Sequence, residues 1–173
     1  MTVKAIKVGS LNTNCYLLIS KGEMLIIDPG ADSEKIVKKI EREKAEPIGI
    51  INTHSHYDHI GANEKLKKRF AIEVLDPKDN LRVGGSNLKI IKTPGHKEDC
   101  ICIIGDGFAL TGDTIFKNVH GRVDLEGGSM IKMKKSLEKL SDKLKAGMII
   151  YPGHGASFRL ETTDLKNKYL KNA

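Results

Sequence analysis

Five short apolar runs in this chain end in loops drawn from one small vocabulary: Asp28-Pro29-Gly30, Thr53-His54-Ser55-His56, Thr93-Pro94-Gly95-His96, Thr111-Gly112-Asp113 and Tyr151-Pro152-Gly153-His154. Strand-end loops on a rigid scaffold are where binding and catalytic groups gather from distant parts of a chain. Five such ends fit strands whose termini share one edge, and that requires sheets. Apolar alternation or short apolar runs predict strands near 3–8, 15–20, 24–28, 48–52, 72–75, 88–92, 100–104, 107–111 and 148–151. Lys21-Gly22 and Asp106-Gly107 have the composition of hairpin turns. Helices are predicted near 33–44, capped by Asp32 or Ser33, and near 61–69, 130–145 and 160–171. Strands in runs with helices between them point to an α/β (α+β) chain in which two sheets pack together under helices, rather than one alternating parallel sheet.

Composition narrows the field. At 173 residues, without repeat, low-complexity tract or linker, the chain is expected to form a single domain over 1–173. Its longest apolar runs span a few residues, whereas a membrane helix needs about 20, so no membrane partner is expected. The N-terminus lacks the pattern of a secretory signal, which makes the cytoplasm the expected compartment. Cys15, Cys100 and Cys102 cannot all pair internally and lack zinc-ribbon spacing, so buried, reduced thiols are expected. Lys and Arg number 29 against 22 Asp and Glu, a net +7 that suits an anionic substrate or a nucleic-acid backbone. The lysines are interleaved with acids along the predicted helix faces, which reads as solvated surface; Trp is absent and Phe and Tyr total eight, so nucleic acid is not an expected partner.

The densest chemistry lies in His54-Ser55-His56-Tyr57-Asp58-His59, directly after the apolar run 48–52. Alternate side chains of an extended segment project the same way, so His54 and His56 can grip one cation. Asp58 and His59 break that period; the chain must turn there, which presents them to a second, neighbouring ion. His96, Asp113 and His154 each follow a strand and sit beside glycine, and they would complete the shells. His120 falls outside this scheme and reads as a surface or turn residue.

In order and spacing these loops resemble the five motifs of the metallo-β-lactamase superfamily, over nearly the whole chain. The resemblance implies a four-layer αββα sandwich and two divalent metal ions, zinc first, with iron or manganese as alternatives. It implies that His54, His56 and His96 hold one ion, that Asp58, His59 and His154 hold the other, and that Asp113 bridges them. Asp58 and Asp113 are thereby the candidate catalytic carboxylates, and Asp28 would orient the metal loop from behind. Asn14-Cys15-Tyr16-Leu17-Leu18, Gly112-Asp113-Thr114-Ile115-Phe116 and Gly121-Arg122-Val123-Asp124-Leu125-Glu126-Gly127-Gly128 look most like the glyoxalase II (hydroxyacylglutathione hydrolase) group. That group hydrolyses S-lactoylglutathione, and Arg122 aligns with its basic glutathione contact. Asp124 and Ala156 stand where the group uses tyrosines, Lys97-Glu98-Asp99 departs from its usual Thr-Pro-Gly, and the group's C-terminal helical extension has no counterpart here.

A metal-bridging hydroxide would attack a thioester or ester carbonyl, and a thiol of pKa about 8.5 leaves as thiolate without a strong general acid. The expected enzyme is therefore a binuclear hydrolase of a small anionic thioester or ester, with Arg122 and Tyr57 as substrate-binding candidates. Its nearest rival is a persulfide dioxygenase, which resembles the same motifs but uses one iron on the set corresponding to His54, His96 and Asp113. A nuclease and a non-catalytic binding module of the same fold are more distant alternatives.

Overall fold

The structure is a computed structural model that describes residues 1–76, 80–162 and 165. The chain forms two compact units, Met1–Leu88 and Lys89–Ala173.

In the first unit, strands β1 (Thr2–Val8), β2 (Thr13–Ser20), β3 (Glu23–Ile27) and β4 (Glu46–Ile51) lie in that order in one sheet. Pairing is antiparallel except between β3 and β4, which run parallel and are joined through helix α1 (Ser33–Ile40). The central strand β2 is almost wholly buried, as its unbroken Cys15-Tyr16-Leu17-Leu18 run requires, whereas β1 buries only Ile6 and Val8. The hairpin between β2 and β3 turns on Lys21 and Gly22, both at positive φ (45° and 85°), the two-residue geometry that matches strand twist. Beyond β4 come a single helical turn, α2 (Tyr57–Ile60), then α3 (Asn63–Phe70) and β5 (Asn80–Val83). Ile6, Leu17, Met24, Ile26 and Ile50 from the sheet meet Ile36 and Ile40 of α1 and Leu66 of α3 in one core. Full burial of each such side chain favours folding by about 1.5–3 kcal/mol, and this apolar stripe keeps two eight-residue helices in place.

The first helix is shorter than its sequence suggests. It stops at Ile40, its last buried residue, because Glu41 to Lys44 offer nothing apolar to the sheet. Asp32 does not cap it through its side chain; held at φ 50°, it turns its carboxylate to the Gly9 N–H instead, at 3.0 Å. The predicted strand at 72–75 contributes only an isolated bridge, Ile50 to Val74, in a segment where Glu73 and Val74 are exposed.

Strand β6 (Ser86–Lys92) carries the chain from the first unit into the second. There β7 (Ile101–Gly105), β8 (Phe108–Gly112), a small β9–β10 ribbon (Ile115–Phe116 with Val119–His120), helix α4 (Met130–Ser141), β11 (Ile149–Pro152) and β12 (Phe158–Arg159) follow. The sheet runs β12-β11-β8-β7-β6, with β11 parallel to β8 and its other pairs antiparallel. Helix α4 starts at Ser129, whose hydroxyl accepts from the Lys132 N–H, and buries Met133, Leu137 and Leu140 against Cys102, Ala109 and Ile150. It ends at Ser141, four residues short of the expected 145. The predicted helix at 160–171 falls mostly outside the described residues; Leu160 and Leu165 belong to this core.

Strands of two to four residues, β5, β9, β10 and β12, were not foreseen, since segments so short carry no periodic signal. Among the described residues no helix is long and apolar enough to cross a membrane. All three cysteines are free and buried, as expected. Burial pushes all three thiols up, Cys102 to about 11, so they stay protonated and unreactive near neutral pH.

Candidate metal centre

In the first unit the site grows from the ends of β3 and β4. Asp28 follows β3 in the left-handed region (φ 51°), which short polar side chains tolerate better than others. Its buried carboxylate spans the two strand ends: Oδ1 accepts from the Thr53 N–H and Oδ2 from the Thr53 hydroxyl, each at 2.6 Å. The same Oδ2 lies 2.9 Å from His59 Nδ1. Since the Thr53 hydroxyl gives its hydrogen to Asp28, it accepts from His54 Nδ1 at 3.2 Å. Through Thr53 the carboxylate thus sets the tautomer of His54, putting the ring hydrogen on Nδ1 and the lone pair on Nε2.

The chain then turns where the sequence required. His56 is still extended (φ −67°, ψ 145°), and Asp58 and His59 ride on the turn of α2. His54 Nε2 and His56 Nδ1 stand 3.0 Å apart, and His59 Nε2 lies 3.5 Å from Asp58 Oδ2. The Thr13 hydroxyl, from the start of β2, donates to that Asp58 oxygen at 2.8 Å, and Asn52 Nδ2 donates to the His59 carbonyl at 2.9 Å. Gly30 is obligatory beneath this turn, because a Cβ there would sit 1.5 Å from the Asp58 carbonyl oxygen. Tyr57, by contrast, points to solvent at 72% exposure.

In the second unit, His96, Asp113 and His154 come from the ends of β6, β8 and β11. Asp113 Oδ2 lies 3.6 Å from His96 Nε2 and 3.6 Å from His154 Nε2. His96 Nδ1 donates to the Arg122 carbonyl at 2.8 Å, so its lone pair also sits on Nε2. The Thr93–His96 loop is tied to α4: the Ser136 hydroxyl donates to the Pro94 carbonyl at 2.7 Å and the Ser129 N–H to the Gly95 carbonyl at 2.8 Å. Arg122 therefore acts near the site through its backbone, while its exposed guanidinium forks onto Asp124 at 2.8 and 2.7 Å. That pairing pulls the Asp124 carboxyl down to about 2. His120 is half-buried and its Nδ1 bonds the Gly121 carbonyl, apart from this triad.

The donor set suits a borderline divalent cation: imidazole nitrogens and carboxylate oxygens, mostly buried, with the rings pre-set by hydrogen bonds from behind. His54, His59, His96 and Asp113 are buried, whereas His56, Asp58 and His154 are partly open, as ligands beside a substrate would be. Motif reading named each of these residues as a candidate but not Thr13, Thr53 or the Arg122 carbonyl. Of those, only Thr53 left a trace, by standing next to the histidine run.

Comparison with known proteins agrees. The chain is 30% identical to a protein of Aquifex aeolicus over 89% of this chain and 90% of that one. It is 26% identical to the probable metallo-hydrolase YqgX of Bacillus subtilis, over 98% of both. With the hydroxyacylglutathione hydrolase GloC of Haemophilus influenzae it shares 26% over 99% of both chains. Among solved structures, BLEG-1 B3 metallo-beta-lactamase superposes with a TM-score of 0.86 at 24% identity, covering 99% of each chain. TTHA1623 in a di-iron-bound form gives 0.83 at 23%, over 96% of this chain and 98% of that one. ETHE1 from Myxococcus xanthus gives 0.82 at 22%, over 99% and 84%. These structural likenesses establish the fold expected from the sequence, that of the metallo-β-lactamase proteins. The model of the metallo-beta-lactamase superfamily matches residues 8–84 and 72–154, a span that holds Asp28, the histidine run, His96, Asp113 and His154, and the chain belongs to that superfamily.

Proposed function

We propose that this chain is a dinuclear metal-dependent hydrolase of small anionic thioesters or esters, acting as one domain over 1–173. The observation that carries the reading is the shared tautomer of His54 and His96, each with Nδ1 held by an oxygen and Nε2 carrying the lone pair. Metal-binding histidines are oriented in this way by outer partners. One ion would take His54, His56 and His96, the other Asp58, His59 and His154. Asp113 would serve both, a role supported by its Oδ2 lying equally far from His96 and His154. Bound divalent ions, zinc by preference, supply Lewis acidity and a water acidified to a pKa of about 7. The likeness to GloC over the whole of both chains supports a hydroxyacyl thioester as the substrate class.

The protein's own contribution is positional. Asp28 and Thr53 hold the His54 imidazole, and Thr13 fixes one Asp58 oxygen so that the carboxylate faces a single way. Arg122 supplies positive charge for an anionic substrate, moderated by Asp124. Arg122→Ala is expected to raise KM about three- to tenfold for anionic thioesters and far less for neutral esters, with Tm unchanged; an exposed ion pair is worth little to stability. Equal KM changes for both substrates would remove Arg122 from recognition.

The deciding experiment is hydrolysis of S-D-lactoylglutathione by metal-assayed protein, by protein stripped with chelator, and by stripped protein reloaded with zinc or with iron. Turnover that disappears on stripping and returns on reloading is the expected result. A full metal complement with no thioester hydrolysis, together with oxygen uptake on glutathione persulfide in the iron-loaded protein, would replace it with the dioxygenase reading.

A further inference from the structure

The charge of this chain is not spread evenly. In the first unit, the end of β1, helix α1 and the start of α3 enclose an open groove of about 910 Å³. Six cationic side chains line it, Lys7, Lys35, Lys38, Lys39, Arg42 and Lys65, against two acids, Asp32 and Glu34. One of those acids is already engaged, since Asp32 accepts from the Gly9 N–H. Lys35, Lys38 and Lys39 lie on α1, with Arg42 just past its end, at i, i+3 and i+4 spacing, while Ile36 and Ile40 turn into the core. Lys35 bonds the Lys7 carbonyl, which ties the helix face to the strand and holds the two walls of cations together.

We propose that this groove is a binding site for a small, multiply charged oxyanion of the oligophosphate class. Like charges gathered in a concavity repel one another, and a counter-anion relieves that repulsion while the concave wall concentrates the field. The volume lies in the range of small-molecule sites. No aromatic side chain lines the groove, so nothing there stacks nucleobases, and the phosphate groups themselves would supply the recognition. Ammonium groups on flexible stems suit that task, each meeting one phosphate as a point charge.

The position gives the site a consequence. Ala31, Gly61 and Ala62 form part of the groove wall. The Ala62 N–H donates to the Pro29 carbonyl at 2.8 Å, and Gly30 and Gly61 are in van der Waals contact with the Asp58 and Gly30 carbonyls respectively. Behind the groove therefore lies the backbone that carries Asp28 and Asp58. The proposal stands on the groove alone and does not depend on the hydrolase reading.

Inorganic tripolyphosphate is the probe, titrated calorimetrically into the full chain in about 0.05 M and about 0.5 M salt. Saturable binding that weakens at least tenfold at the higher salt is expected. The variant Lys38→Glu/Lys39→Glu reverses one exposed and one half-buried charge, neither of them in the core cluster, and should lose at least tenfold in affinity while keeping its circular dichroism and Tm. Any chelation of bound metal by the probe would appear equally in both proteins. Equal heats in the two proteins, or binding of a 20-base-pair duplex at lower concentration than tripolyphosphate, would overturn the proposal. A second variant, Lys65→Glu, on the opposite wall, should show a loss of the same sign; no loss would confine the anion to α1 and overturn the groove as the site.

Discussion

On the proposed dinuclear thioesterase reading, Asp113→Ala is expected to cut the bound divalent metal from two ions per chain to one or fewer and to lower kcat/KM for thioester hydrolysis by at least about a thousandfold. The carboxylate is nearly buried and one of its oxygens stands 3.6 Å from each of two imidazoles on separate strand ends. Deleting it leaves His96 and His154 with no shared anion, so two cations at these ligands would repel one another unscreened. The fold should survive, because its turn is held by other groups: the Thr111 hydroxyl donates to the Ile115 carbonyl and the Thr114 N–H to the Thr111 carbonyl. Metal-free Tm should therefore shift by only a few degrees, which separates loss of the centre from loss of the protein. Asp113→Asn keeps the shape and removes the charge, and the same collapse of metal content is expected. Full metal content and turnover in either variant would refute the bridging assignment.

What could be read from the sequence divides along physical lines. Strand ends with Pro-Gly or Thr-Gly punctuation were legible because turn geometry is local, and they pointed to His96, Asp113 and His154 as candidates, while the histidine run after 48–52 pointed to His54, His56, Asp58 and His59. The long strands were legible because burial imposes a pattern over five or more residues, as in β2 and β7. Helix ends were not, because they depend on where the apolar face runs out against a sheet: α1 stops at Ile40 and α4 at Ser141. The groove cations escaped for a related reason. Read along the chain, Lys7, Lys38 and Lys65 are interleaved with acids, and only the fold brings them round one concavity. Arg122 shows the limit from the other side: its type suggested a substrate contact, whereas its carbonyl, which no sequence pattern marks, holds His96.

Asp28 should prove the most consequential residue outside the ligand set, and its variants separate two jobs. In Asp28→Ala the Thr53 N–H and the Thr53 hydroxyl lose their acceptor in a buried site, and the carboxylate 2.9 Å from His59 Nδ1 is gone. A stranded buried donor costs about 1–3 kcal/mol, and two that share one acceptor and relax in part would cost about 2–4 kcal/mol together. For a chain of this size that is a fall in Tm of about 10 °C. Metal affinity should fall about 10- to 100-fold as well, the usual cost of losing an outer partner of metal-binding histidines. Asp28→Asn distinguishes the contributions. Asparagine accepts the φ of 51° and its carbonyl still takes the Thr53 N–H, so most of the stability should return. Its amide group carries no acceptor where Oδ2 was, so the Thr53 hydroxyl is no longer drawn away from His54 Nδ1 and the negative charge beside His59 is gone, and metal affinity should stay low. Thr53→Val completes the set by cutting only the link to His54, with a smaller loss of metal affinity and little change in Tm. Equal recovery of stability and metal affinity in Asp28→Asn would mean that Asp28 is a structural clasp and that the tautomer of His54 is set elsewhere.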